Sequence, residues 1–239
     1  MKSAHISFDD VFGSLRWLKV NHPASLFDMG FWGNLKKLHN KYNAVFSLYT
    51  FQSHDGFDIG MLPNVYKDEL RQSTSWLRFG FHAASPKTNA LQMNADDFCD
   101  SLVRFNEVMS KVMPIERLCK WIRLHNWCAT KEQVDIMKSK GITSLLCRDN
   151  AGVSYDLDMK ETELLNAQGS LCKNGIKYRR TNIRYDDCPD IEFELNELIK
   201  EGKEEIVLFG HERHFRRSLP QIEYSISTLR RYGYKFVND

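Results

Sequence analysis

Asp9 and Asp10 stand side by side behind the short apolar run His5-Ile6-Ser7-Phe8. Adjacent carboxylates repel each other unless a metal, an arginine or a shared proton compensates. Such a pair is either a solvated turn or half of a site, and three histidines bear on the choice. His82 closes an extended segment at 77–82, His125 closes another at 120–125, and His211 follows the strand pattern 205–210 with Glu212 beside it. In a parallel α/β sheet or barrel the C-terminal ends of the strands open onto one face. Eight histidines scattered at random would not usually place three there. An Asp/His/His set with an open fourth position suits zinc or a similar divalent ion. The ion polarises a carbonyl and acidifies a bound water. A second carboxylate can then take the water's proton while a further histidine gives one to the leaving group. The constellation fits metal-assisted hydrolysis of an amide or ester.

The elements that must position these groups alternate along nearly the whole chain. Extended patterns at 5–8, 44–51, 77–82, 120–125, 142–147 and 205–210, with a short one near Phe236, are separated by helical periodicities. The clearest helix follows Asn94 as cap, with Asp96 and Asp97 in its first turn and the stripe Phe98, Leu102, Phe105, Met109, Val112, until Pro114 stops it. Others are predicted after the loop at His22-Pro23 (Phe31, Leu35, Leu38, Tyr42), at 64–76, from the box-like Thr130–Gln133 to Gly141, near 160–167, at 191–200 and at 219–232. Residues 148–189 read as less regular, with one helix and a hairpin. Alternation of this kind predicts an α/β fold with a mostly parallel sheet or barrel in a single domain over residues 1–239.

With 239 residues, 42% hydrophobic and 27% charged, the composition is that of a soluble globular chain. A net charge of +2 gives no electrostatic case for nucleic acid. No apolar run is long enough to span a bilayer, and Met1–Ala4 leads into a strand rather than a signal peptide. The six cysteines form no CxxC pair and read as reduced thiols, so the expected compartment is the cytoplasm.

Ser7-Phe8-Asp9-Asp10 resembles the first motif, T/S-F-D-D-G, of the polysaccharide deacetylases of carbohydrate esterase family 4. The stretch 34–51 is similar to that family's first helix and second strand, and Val207-Leu-Phe-Gly-His211-Glu resembles its closing motif. The resemblance implies a distorted, incomplete (β/α) barrel of about seven strands. It also implies Asp9 as general base, Asp10 as metal ligand and His211 as the acid that protonates a leaving amine. Val11 stands where the motif has glycine, and Pro86 where the second motif places its second histidine, four residues after His82. His125 is the candidate replacement ligand, and Arg123 falls where the third motif has an arginine that orients the base.

Further residues invite a substrate role. His54, in His54-Asp55-Gly56-Phe57-Asp58, reads as part of a lid or substrate loop, a metal donor or a solvated turn. Arg184, in the ladder 179–187, reads as an anion contact, as a group orienting Asp9 or as ordinary surface charge. Trp76, Trp121 and Trp127 are candidate platforms for sugar rings or buried aromatics. The expected activity is zinc-dependent removal of an acetyl group from an N-acetylated sugar, a carbon–nitrogen bond outside peptides. The alternatives are a non-catalytic carbohydrate-binding protein and a hydrolase of another amide or ester on the same scaffold.

Overall fold

A computed structural model describes residues 1–238. The chain opens with β1 (Ser3–Asp9), α1 (Gly13–Asn21), α2 (Gly30–Tyr42), β2 (Phe46–Phe51) and the hairpin strands β3 (Ser53–His54) and β4 (Phe57–Asp58). It continues through α3 (Lys67–Gln72), β5 (Leu77–Ala83), α4 (Ala95–Ser110), β6 (Trp121–Ile122), α5 (Lys131–Ser139) and β7 (Ser144–Leu146). Then come α6 (Met159–Gln168), the hairpin β8 (Ser170–Lys173) and β9 (Ile176–Arg179), and β10 (Ile183–Arg184). The last elements are α7 (Ile191–Lys200), β11 (Glu205–His211), α8 (Phe215–Arg231) and β12 (Lys235–Val237).

The main sheet has six strands in the order β10-β11-β1-β2-β5, with β12 beside the first half of β1, and every pairing is parallel. A second sheet of four runs β6-β7-β9-β8, parallel except for the β8–β9 hairpin. The Cys119 N–H bonds to the Phe79 carbonyl at 2.8 Å and joins the β5 edge to the segment entering β6. At the other end the chain passes from β9 to β10, where the Asn182 N–H bonds to Val207 O at 2.8 Å. The sheets thus form an open arc, the distorted incomplete barrel that the family resemblance implies, without a closed ring of ladder bonds. β2 is buried throughout and β11 beyond its first residue, so they read as continuous apolar runs rather than alternating ones.

Local chemistry explains most of the helices. Asn94 accepts from the Asp97 N–H and caps α4, whose stripe Phe98, Leu102, Phe105 and Met109 is buried. Thr130 and Gln133 form a reciprocal capping box at the start of α5. The helix predicted at 64–76 is shorter, Lys67–Gln72, and three further elements depart from the sequence pattern around the site. α1 goes unseen in the sequence because its N-cap, Phe12, offers no side-chain acceptor. α8 starts four residues before Leu219, with Pro220 inside it. The predicted strand at 120–125 is only Trp121–Ile122, so His125 sits on a 3₁₀ turn (His125–Trp127) instead of a strand.

One buried group makes the fold pH-sensitive away from the strand ends. His5 is fully buried on β1, its Nδ1 donating to the Val237 carbonyl at 3.1 Å. Burial, then the Arg123 charge, lowers its pKa to about 3. The unfolded chain takes up this proton near pH 6.5, and the folded chain does not until about pH 3. Stability from neutral His5 is therefore complete above pH 6.5 and lost as pH falls toward 3. Between pH 6.5 and 5 this is worth about 2 kcal/mol. His5→Gln is expected to flatten that part of the stability–pH curve, read from urea midpoints at the two pH values; equal slopes in both proteins would rule the effect out.

Candidate metal and acid–base site

β1 and β11 run in register, so Asp9 and His211 are paired across adjacent parallel strands and share a face. Asp10 would point the opposite way on a regular strand. Instead it adopts a left-handed conformation with φ 55°, which turns its carboxylate into the same cleft. Asp tolerates this conformation better than most residues. Val11 needs no such freedom: its N–H bonds to the Tyr49 carbonyl at 3.0 Å and its side chain is fully buried. The place of the motif glycine is thus filled without strain.

Asp9 is 1% exposed. Arg123, itself fully buried, donates through Nη1 to Asp9 Oδ1 at 3.1 Å and to Ser7 Oγ at 2.9 Å. Its Nη2 donates to Thr181 Oγ1 at 3.0 Å, and its guanidinium lies 4.1 Å from the Phe209 ring centre. One cation thus pairs with Asp9 out of water. Arg184 does not take this position; its Nε donates to Asp186 at 3.1 Å and its Nη1 pairs with Asp187 at 2.9 Å.

Asp10, His82 and His125 can offer one donor atom each within 4.8 Å of one another. Asp10 Oδ1 lies 3.4 Å from His82 Nε2 and 3.8 Å from His125 Nδ1, yet it is buried and receives no well-aligned hydrogen bond. His82 Nδ1 lies 2.6 Å from the Arg123 carbonyl, which can only accept. Nδ1 therefore carries a proton, and Nε2 is the ring nitrogen turned toward Asp10, the atom that would ligate a metal. Burial alone would raise the Asp10 pKa, but the imidazoles of His82, His211 and His125, His82 foremost, bring it down to about 2. Burial alone would lower the His82 pKa; Asp10, Asp9 and the Arg123 carbonyl reverse it and raise it. Burial and the His82 charge lower that of His125, which favours its neutral, ligating form. An anionic oxygen lacking a partner and two imidazoles fit a divalent cation.

His125 is aimed by an uncommon backbone. Asn126 and Trp127 take positive φ values of 65° and 54° in succession, a strained arrangement for non-glycine residues. Arg148 donates to the Asn126 carbonyl at 3.0 Å and the Tyr155 N–H to the Trp127 carbonyl at 2.6 Å, holding the turn in place. Trp127 itself is partly exposed beside the site, edge-on to Phe209 at 6.1 Å. Trp76 and Trp121 are buried, stacked on His39 and covered by Arg179, so neither can be a sugar platform. His54 stands outside the donor cluster, 3.2 Å from Asp55 and against Phe12. With Pro86 and Lys87, its hairpin lines a cleft of about 430 Å³.

His211 faces Asp10 Oδ2 with Nε2 at 4.0 Å, while Nδ1 donates to Asp186 Oδ2 at 2.7 Å. Asp186 Oδ1 also accepts the His211 N–H at 3.0 Å. Burial would raise the Asp186 pKa, but His211, and then Arg184, hold it well below the usual carboxylate range. Sequence reasoning left Asp186 inside a charge ladder; only the pairing of β10 with β11 brings it to His211. Glu212, beside His211 in the sequence, has a structural role. The Glu212 carboxylate accepts the N–H groups of Phe12 and Ser14 at 2.5 Å each, capping α1 and tying the Asp10 turn to the His211 strand. Arg213 adds a contact that sequence did not suggest, 2.6 Å from Asp10 Oδ2.

No protein-family model matches the sequence, and a search of curated proteins finds no match. Solved structures do match. A peptidoglycan N-acetylglucosamine deacetylase bound to a naphthyl-substituted N-hydroxybenzamide aligns with TM-score 0.53 at 13% identity, over 98% of this chain and 85% of its own. A family 4 acetyl xylan esterase from Clostridium thermocellum, in complex with a cobalt ion, aligns with TM-score 0.56 at 14% identity, over 99% and 87%. A carbohydrate esterase family 4 pseudoenzyme from Bacillus anthracis aligns with TM-score 0.54 at 10% identity, over 98% of this chain and 63% of its own. The chain has the fold of the polysaccharide deacetylases of carbohydrate esterase family 4, at identities that mark a divergent version of it.

Proposed function

We propose that the chain is one catalytic domain over residues 1–239 that removes an acetyl group from an N-acetylated sugar in polysaccharide metabolism, using a divalent ion, most simply zinc. The observation that carries this reading is the buried, unpartnered Asp10 Oδ1 facing His82 Nε2 and His125 Nδ1. Asp10, His82 and His125 would hold the ion, which when bound acts as a Lewis acid on the substrate carbonyl and acidifies a water. Asp9, oriented by Arg123, takes the proton of the attacking water. His211 delivers a proton from Nε2 to the departing amine, its other nitrogen fixed by Asp186. Acetate and a free amino sugar leave. Trp127 and His54 are the proposed sugar contacts, and Arg184 acts through Asp186. Among the described residues all six cysteines are free, which supports a reducing compartment such as the cytoplasm, and no helix is long and apolar enough to cross a membrane.

Acetate release from an N-acetylglucosamine oligosaccharide tests the reading. Release is expected to stop on chelation, to return with added metal, and to fall by about 10²–10⁴ in Asp9→Asn. Pro86 in place of a motif histidine, together with the likeness to a pseudoenzyme, favours a second reading, sugar binding without turnover. Saccharide binding with metal present and no acetate released would establish that one instead.

A further inference from the structure

Three exposed arginines crowd the rim immediately beyond His211. Arg213, Arg216 and Arg217 lie within five residues, in a chain whose net charge is only +2. Among the described residues Arg216 and Arg217 pair with no carboxylate, and Arg213 touches only Asp10 and the ring of His214. Glu212, the one acid in the segment, is committed to the backbone of α1. Arg216 and Arg217 occupy the first turn of α8, which carries no acidic residue. Cations there oppose the helix dipole, so the placement costs stability. Among the described residues no carboxylate pairs with Arg216 or Arg217 to offset it.

The side of the site matters. The amine that His211 protonates stays on the sugar, so the sugar body must lie on the His211 side of the cleft. Behind His211, past Asp186 on its Nδ1 nitrogen, a cleft of about 370 Å³ opens, lined by Asp186, Asp187, Pro189, Arg217 and Gln221. Its two acids are already engaged, Asp186 with His211 and Arg184, and Asp187 with Arg184. Arg184 is shared between them, Arg217 is the second cation beside them, and Arg213 stands half-exposed against Asp10.

We infer that the substrate is an N-acylated sugar bearing an oxyanion, a carboxylate or a phosphate, which Arg213 and Arg217, flanked by Arg216, receive on the His211 side. The inference rests on the deacetylase reading for the orientation of the sugar. Guanidinium groups suit both anions through paired charge-assisted hydrogen bonds. Binding draws Arg213 from Asp10 toward the substrate, which frees the second carboxylate oxygen.

Calorimetric titration of the metal-loaded full chain tests it with three probes. These are neutral N-acetylglucosamine tetrasaccharide, an unsulfated tetrasaccharide alternating N-acetylglucosamine with glucuronate, and UDP-N-acetylglucosamine. One of the anionic probes is expected to bind roughly ten-fold or more tightly than the neutral one at low salt, with the advantage shrinking as salt rises. The probe that does so separates carboxylate from phosphate as the source. Arg213→Gln combined with Arg217→Gln is expected to abolish the preference while keeping the metal content and giving a urea midpoint no lower than that of the wild type. Equal binding of all three probes, no binding of any, or a preference that survives the double variant would overturn the inference. Acetate release is scored separately: an enzyme that binds and deacetylates the neutral probe as well as the charged ones keeps the activity and loses the anionic substrate.

Discussion

Arg123→Met is expected to lower the stability of the folded chain by about 3–5 kcal/mol and to abolish deacetylation. The reasoning starts from burial. Asp9 and Arg123 are both shielded from water, and Arg123 alone connects Asp9, Ser7 and Thr181. Methionine restores much of the volume but leaves the Asp9 charge uncompensated in a low-dielectric interior. Removing one partner of a buried pair is far costlier than the net worth of the pair. For a domain whose total stability is about 5–15 kcal/mol, that is a large fraction. Arg123→Lys keeps the charge but not the fork that reaches three acceptors, so an intermediate loss is expected. Urea unfolding with an unchanged m-value checks it. A midpoint shift near zero in Arg123→Met would show that Asp9 is compensated some other way.

His211→Ala is expected to reduce the deacetylation rate by about 10²–10⁴ while metal content stays at the wild-type level. His211 lies 4.0 Å from Asp10 Oδ2 but is not in the donor cluster, so its loss should separate proton delivery from metal retention. Asp186→Asn is expected to give a smaller loss of the same kind. The amide nearly preserves the shape but removes the charge that fixes the Nδ1 proton and stabilises the protonated ring. The Asp186 pKa is depressed, so its stabilising contribution is present above the ordinary carboxylate range near pH 4 and lost as pH falls below it. The rate defect of Asp186→Asn should therefore persist across neutral pH. A variant that loses metal along with activity would instead place His211 among the ligands.

The sequence exposes the site unevenly, for physical reasons. Asp9, His82 and His211 were legible because they close strand patterns whose ends share one face of a parallel sheet, and β1 and β11 place Asp9 and His211 in register. Asp10 was legible as a neighbour, although the left-handed turn that brings it into the cleft was not. His125 could be named as a spare histidine near Arg123. Its reach depends on two consecutive left-handed residues braced by Arg148 and Tyr155, which no periodicity reveals. Asp186 was hidden because its partner lies 25 residues away across a two-strand contact. α1 was missed for a related reason: its cap comes from Glu212, 200 residues distant, and local capping chemistry gives no hint of it. Long-range pairs of this kind decide the geometry, while local pattern decides the elements.

The central claim is that His125 completes a metal site in which Pro86 has replaced the usual second histidine. Metal content of protein purified without chelator, measured for the wild type, His125→Ala and His54→Ala, tests it most directly. The expected result is about one divalent ion per chain in the wild type and in His54→Ala, against a loss of at least about ten-fold in affinity for His125→Ala. Wild-type protein free of stoichiometric metal, or His125→Ala protein that keeps it in full, would contradict the account.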